Sequence, residues 1–335
     1  MSKFFINKQI LKLLTISTKL IRYFPSEFSH YLALLSLKFI YKLGFKITLG
    51  SSSSTEVLNI IFKNKLGVAA GLDKNGDYID SLACLGFGFL EIGTVTPRPQ
   101  EGNRKPRLFR LTSKEALINS MGFNNKGVDH LVRRMKIRKS VIPIGISIGK
   151  NFDTPNEKAH EDYLFCLKKT YEYASYIAVN ISSPNTKNLR ELQLGKSLDI
   201  LLSTLKKEQN RLSKFHGYKP IFIKISPDNN TDDLLKIFES IIDNKIDGLI
   251  CSNTTSEHNY INGRGGLSGA PLFNKSTEIL KLARDSLGKE FPIIASGGVM
   301  NKDNYEEKLN AGASLVQIYT GFIYEGPALI KHILK

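Results

Sequence analysis

A chain of 335 residues, 41% hydrophobic and 23% charged, has room for a large core and the balance of an ordinary folded protein. Its three cysteines (Cys84, Cys166, Cys251) stand far apart with no CxxC pair, which excludes a disulfide framework and gives no zinc or iron–sulfur signature, so no metal is expected. The net charge of +16 admits nucleic acid, an anionic membrane, anionic ligands, or no more than scattered lysine.

Residues 1–45 carry seven basic residues (Lys3, Lys8, Lys12, Lys19, Arg22, Lys38, Lys42) against the single acid Glu27. Pro25 and Ser26 divide two apolar segments, and the second places Phe28, Leu32, Leu35, Phe39 and Leu43 at helical spacing. Its longest charge-free run, Phe28 to Leu37, is about half of the roughly twenty residues that a spanning helix needs. No small-residue cleavage site follows, so a signal peptide is not expected. Two readings stand: a basic amphipathic helix pair lying on a membrane face, or a helix packed on its own domain. Ser51 to Ser54 read as a linker, which divides the chain into an N-terminal segment (1–45), a linker and barrel entry (46–64) and a barrel (65–335).

From residue 65, strand-like and helix-like segments alternate. The strands are expected at 65–72, 86–96, 141–149, 176–183, 220–226, 246–254, 291–299 and 314–321, with helical patterns between them at 161–174, 232–244, 277–287 and 305–311. Eight such units predict an α/β fold, a (β/α)8 TIM barrel with an N-terminal α-helical extension. Residues 97–123 are too long and irregular for one helix and are expected to form an inserted hairpin or lid over the barrel mouth.

Function in a barrel belongs at the C-terminal ends of the strands. The fourth strand ends in Asn180-Ile181-Ser182-Ser183-Pro184-Asn185, two amides and two hydroxyls where a turn alone would need only Gly, Asn or Asp. That suits a small planar ligand with carbonyl and N–H edges; a polar turn is the alternative. Lysines and amides recur at other exits (Lys74, Lys150, Lys224, Asn151, Asn253), and a buried lysine is costly unless it meets an anion or another partner. Gly297 and Gly298 after the seventh strand, and Tyr319, Thr320 and Gly321 after the eighth, mark the usual phosphate site of this fold, with Gly265, Gly266 and Gly269 on the same rim. Asp73 is the only acid in these motifs and neighbours Lys74, so an ion pair is expected there. No His, Cys or acid pair offers an obvious base, which leaves hydroxyls, Ser183 first among them.

These motifs together resemble the class 2, quinone-dependent dihydroorotate dehydrogenases. The segments that carry the resemblance are AAGLDKNG at 69–76, EIGTVTPRPQEGN at 91–103, KPRLFRL at 105–111, INSMGFNN at 118–125, GKN at 149–151, NISSPNT at 180–186, SNTT at 252–255, GGLSG at 265–269 and SLVQIYTGF at 314–322. The resemblance implies FMN as cofactor, bound by the segment Ala70, Gly71, Leu72, Asp73 and Lys74, by Thr94, Ser147, Asn180, Lys224, Ser252 and Gly269, and with its phosphate near Gly298, Tyr319 and Thr320. It implies orotate contacts from Lys74, from the run Asn119, Ser120, Met121, Gly122 and Phe123, and from Asn180, Asn185, Asn253 and Thr254. Ser183 falls on the catalytic base, where class 1 relatives carry cysteine, and Thr186 on a proton relay. Arg110 and His30 resemble residues lining a quinone tunnel. Two departures stand out: Ser147 where relatives often carry Asn, and Ser252 where bacterial relatives carry Thr.

The implied chemistry is loss of a C5 proton and a C6 hydride from dihydroorotate, with reoxidation by a membrane quinone. An amide suits a pyrimidine edge because it offers donor and acceptor side by side. The expected partners are dihydroorotate or orotate, the quinone and, through the N-terminal helices, the membrane surface, with no nucleic acid; the expected location is peripheral, on the cytoplasmic face of a bacterial membrane. Every residue matched to orotate lies beyond residue 70, so residues 1–45 are expected to serve the quinone half-reaction. The rival readings are a tRNA dihydrouridine synthase, which needs a cysteine acid that no strand exit supplies, and a non-catalytic barrel binding an anionic partner.

Overall fold

The computed structural model describes residues 17, 18, 20–44 and 53–335. Lys3, Lys8, Lys12 and Lys19 of the basic run, and Ser51 and Ser52 of the linker, lie outside the described residues. The N-terminal segment contributes α1 (Ser26–Lys42), entered through Pro25, whose fixed φ suits a helix start. A short hairpin follows, β1 (Thr55–Val57) and β2 (Ile60–Phe62), in part of the stretch expected as linker. Then β3 (Leu66–Val68), α2 (Ile79–Ala83) and β4 (Phe89–Val95) open the barrel. The expected insertion contains an antiparallel hairpin, β5 (Leu108–Leu111) and β6 (Ala116–Asn119).

The barrel continues through α3 (Val128–Ile137), β7 (Ile144–Ile148), α4 (Ala159–Thr170), β8 (Tyr176–Asn180), α5 (Gly195–His216), β9 (Ile221–Lys224), α6 (Thr231–Asp243) and β10 (Gly248–Cys251). Next, β11 (Gly266–Gly269) leaves the barrel and pairs with β6, making the insertion a three-stranded sheet. The chain ends with α7 (Phe273–Leu287), β12 (Ile293–Ser296), α8 (Lys302–Asn310), β13 (Leu315–Ile318), α9 (Thr320–Glu325) and α10 (Pro327–Ile333). Strand β13 pairs in parallel with β3, so the eight expected strands close on themselves as a (β/α)8 barrel. Two of the outer helices start on side-chain caps, with Asn230 and Asn301 accepting the N–H three residues on.

The inside of the barrel is layered by what each strand points inward. In the lowest layer, glycine on one strand faces an aromatic ring on a neighbour: a Cβ at Gly67 would sit 2.4 Å from Phe89, at Gly145 2.1 Å from Tyr176 and at Gly248 2.2 Å from Phe222. The three rings and Phe62 from the hairpin pack edge to face, with centroids 5.2–6.4 Å apart. That cluster closes the N-terminal end, so any chemistry is confined to the opposite mouth. Above it lies a polar layer, in which Glu91 accepts from Tyr176 (3.0 Å) and from the Gln317 amide (2.7 Å), with the Lys224 ammonium 3.9 Å away.

Candidate active site

The register of β4 against β7 slips between Ile92 and Val95, which takes Gly93 and Thr94 out of the regular ladder just where the polar layer meets the mouth. The Thr94 hydroxyl there receives the Asn180 amide (2.9 Å) and bonds the Ser147 hydroxyl (2.8 Å). Thr94 and Asn180 floor a cleft that encloses about 1110 Å³ of empty space, part of it open to solvent. The other matched exits converge on it: Ala70, Gly71 and Lys74 after β3, Ser183 and Asn185 after β8, Lys224 on β9, and Ser252, Asn253 and Thr254 after β10. Gly298, Tyr319 and Thr320 line one end, and Gly269, Asn119, Met121, Gly122 and Phe123 come from the inserted sheet and its exit.

The amides are cross-linked in two pairs. Asn185 donates to Asn119 (3.0 Å), and Asn253 donates to Asn180 (3.3 Å) and to the Ser182 hydroxyl (3.0 Å). Each pair joins different exits, so the ligand edge they present depends on the closed barrel. Ser183 is 6% exposed, and its oxygen accepts the Asn185 N–H at 3.2 Å. Thr254 and Thr186 each bury a hydroxyl that finds no hydrogen-bond partner among the described residues. Orphaned polar atoms of this kind are rare in native interiors and mark a place where a ligand or water completes the bonding.

Electrostatics sharpen the picture. Burial pushes the Lys74 amine down to about 8, with Glu27 opposing and Arg107 assisting the shift. Lys224 is likewise lowered by burial, and Glu91 is the charge that opposes it. Both ammonium groups face the cavity, which makes it a site for an electron-rich or anionic ligand.

Four of the residues matched to FMN or orotate do not line this cavity. Leu72 faces a second one. Asp73, expected to pair with Lys74, is turned on the backbone and accepts the N–H groups of Asn75, Asp77 and Tyr78, so it anchors the loop that carries the lysine. The Ser147 hydroxyl lies beneath the floor, and Ser120 stands in the wall, with its N–H bonded to the Arg107 carbonyl (2.8 Å). Sequence reasoning misses Glu91 and Gln317. An acid inside a strand whose every residue is buried is the signal that could have found Glu91, since an unpartnered buried carboxylate is too costly to keep.

The second cavity, of about 870 Å³, lies between α1 and the barrel mouth. Ala33, Leu34, Leu37, Leu72 and Phe322 give it apolar walls, and His30, Arg110 and Arg22 are its basic side chains, with Ser26, Ser29 and Ser36 adding hydroxyls. Leu108, Leu117 and Tyr319 line both cavities and form the partition. Arg110 donates to the Arg22 carbonyl at 2.5 Å. Burial, aided by the Lys74 charge, pushes His30 down to about 3, so its imidazole is neutral. The apolar stripe read from the sequence points away from the cavity: Phe28, Leu35, Phe39 and Leu43 are exposed, as are Tyr23 and Phe24. Among the described residues, no helix is long and apolar enough to cross a membrane.

Comparison with known proteins fits this geometry. The family model described as dihydroorotate dehydrogenase matches residues 52–335. A Vibrio parahaemolyticus protein named dihydroorotate dehydrogenase (quinone) is 53% identical over 287 residues, covering 84% of this chain and 85% of its own. One of the same name from Acinetobacter baumannii is 51% identical over 316 residues, covering 92% and 95%. Among solved structures, dihydroorotate dehydrogenase from Eimeria tenella in complex with ferulenol superposes with a TM-score of 0.83 at 31% identity, over 92% of this chain and 89% of that one.

Proposed function

The chain belongs to the dihydroorotate dehydrogenase family, as a quinone-dependent member that oxidises dihydroorotate to orotate in pyrimidine biosynthesis, and from that premise we propose which groups carry the reaction. The cofactor is FMN, in the first cavity. The donor set suits it: glycine backbone and the Thr320 hydroxyl at the phosphate end, and Thr94, Asn180, Ser252 and the Lys224 ammonium around the ring. Bound FMN supplies a two-electron acceptor for the substrate and passes the electrons on to quinone.

The remaining chemistry falls to this chain's side chains. Lys74 provides charge for the substrate carboxylate, and the Asn119–Asn185 and Asn180–Asn253 pairs present donors and acceptors to the pyrimidine edge. Ser183 takes the C5 proton. Its oxygen keeps a free lone pair beside the one that accepts the Asn185 N–H, and the Thr186 hydroxyl, three residues on, is buried with no partner among the described residues and so is free to relay the proton. Lys224, held near Glu91, would supply positive charge to stabilise the reduced flavin.

The quinone occupies the second cavity, with its carbonyl oxygens toward Arg110 and the neutral His30 and its tail along the apolar wall of α1. Residues 1–45 form that entrance and hold the protein peripherally on the cytoplasmic face of the membrane. The observation that supports the membrane reading is the row of exposed apolar residues on α1. The convergence of seven of the eight strand exits on one cavity lined by amides and two lysines carries the whole reading.

Purified protein should show a flavin absorption spectrum that bleaches on anaerobic addition of dihydroorotate and returns with a quinone. A colourless protein that stays inactive with added FMN would overturn the assignment. A flavin that is not bleached by dihydroorotate would reassign the substrate.

A further inference from the structure

We propose that Glu27, on the N-terminal helix, is a positioning residue of the substrate site, because its ion pair with Arg107 seats the loop that braces the substrate wall. The inference rests on the reading that Lys74 and the Asn119–Asn185 pair hold dihydroorotate. Arg107 is 5% exposed, and its guanidinium is shared between a carboxylate and two backbone carbonyls. On one side Nη2 meets the Glu27 carboxylate at 2.7 Å, with Nε at 3.3 Å from both of its oxygens. On the other side Nη1 donates to the carbonyls of Glu101 (2.5 Å) and Asn103 (3.0 Å).

Asn103 then reaches both halves of the substrate wall. Its amide donates to the Ser120 carbonyl (3.0 Å) and the Asn185 carbonyl (3.1 Å), and its N–H to the Met121 carbonyl (3.1 Å). A chain of direct hydrogen bonds therefore runs from α1, which walls the second cavity, to the residues facing the substrate. Without Glu27 the guanidinium would be a buried charge with no ion-pair partner among the described residues, a state that drives rearrangement.

The same pair acts on Lys74 electrostatically. The charged or titratable groups facing that amine are Glu27 and His30 from α1, Arg107 from the insertion and Asp73 from its own loop. Burial lowers the amine most, Glu27 and Asp73 favour its charged form, and Arg107 disfavours it. The sign of each substitution follows. Loss of Glu27 removes a nearby anion and lowers the pH at which Lys74 gives up its charge. Loss of Arg107 raises it.

The test is the orotate dissociation constant of the oxidised holoenzyme, read from the flavin absorption change between pH 6 and 10. Wild type, Glu27→Gln, Arg107→Met and Lys74→Met are compared, with flavin content as the check on folding. Wild type should lose affinity as pH rises through about 8. Glu27→Gln should bind orotate roughly tenfold more weakly at neutral pH, a coupling of the size found between residues of one hydrogen-bonded network, with its alkaline loss moved to lower pH. Arg107→Met should move that loss to higher pH. Opposite displacements are something that mere loosening of the fold would not produce. Unchanged affinity and pH profile in Glu27→Gln, or displacement of both variants in one direction, would overturn the proposal. If Arg107→Met fails to fold, the affinity and pH profile of Glu27→Gln decide it alone. If Lys74→Met leaves orotate binding and its pH dependence intact, the substrate reading has failed and takes the proposal with it. If Lys74→Met abolishes them while Glu27→Gln does not alter them, only the proposal falls.

Discussion

Ser183 is a weak base by itself, and the structure gives it little help: one backbone N–H at 3.2 Å and, among the described residues, no hydrogen bond to a carboxylate or imidazole. In the proposed role it would therefore depend on an acidified substrate C–H. Ser183→Ala should lose about 10²–10⁴-fold in the rate of flavin reduction, the usual share of a general base, with FMN still bound. Ser183→Cys should keep part of that rate. Anaerobic stopped-flow with dihydroorotate measures both, and an unchanged rate for the alanine variant at every pH would remove Ser183 from the role. At this scale the sequence is readable where chemistry is unusual. Two amides and two hydroxyls at one strand exit stand out without any coordinates. Pairing between exits does not, because Asn119 and Asn185 are 66 residues apart and meet only across the barrel.

On the proposed reading, the element that decides which acceptor the enzyme can use is α1. Its sequence pattern shows one apolar stripe, whereas in the structure two of its sides are apolar: Ala33, Leu34 and Leu37 toward the second cavity, and Phe28, Leu35 and Phe39 toward solvent. A helix packed only on its own domain would bury the stripe that here is exposed. Deleting residues 1–45 should slow flavin reoxidation by long-tailed quinones far more than flavin reduction by dihydroorotate. Through Glu27, it should also cost the substrate affinity that Glu27→Gln costs. The full chain should bind anionic liposomes in a salt-sensitive way, each basic residue near the surface being worth about 1 kcal/mol. Stopped-flow on the two half-reactions and liposome sedimentation test these outcomes; equal slowing of both half-reactions would make the segment structural alone.

For the molecule as a whole, the barrel separates stability from chemistry along its axis. The hairpin of β1 and β2 drives Phe62 into the aromatic layer at the closed end, and Phe62 is 1% exposed there. Phe62→Ala should lower stability by about 3–5 kcal/mol, the usual effect of emptying a large buried aromatic site. Flavin content and substrate affinity should be unchanged in the folded fraction, because the polar layer of Glu91, Tyr176 and Gln317 stands between. Thermal melts followed by flavin fluorescence and by circular dichroism would check this, and loss of flavin before the backbone melts would contradict it.

The eightfold alternation of strand and helix, and the amides, lysines and glycines placed at successive strand exits, were decided by the sequence alone. Local pattern suffices for these, since strand period, helix period and turn chemistry each act over a few residues. What only the tertiary structure decided is everything that closure brings together. It turned Asp73 from a partner of Lys74 into a backbone anchor, and it put Glu91 beneath Lys224 from strands 133 residues apart. It also set a glutamate of the N-terminal helix against Arg107, 80 residues away, at the back of the substrate wall. Such pairings depend on register and closure around the whole barrel, which no window of sequence contains.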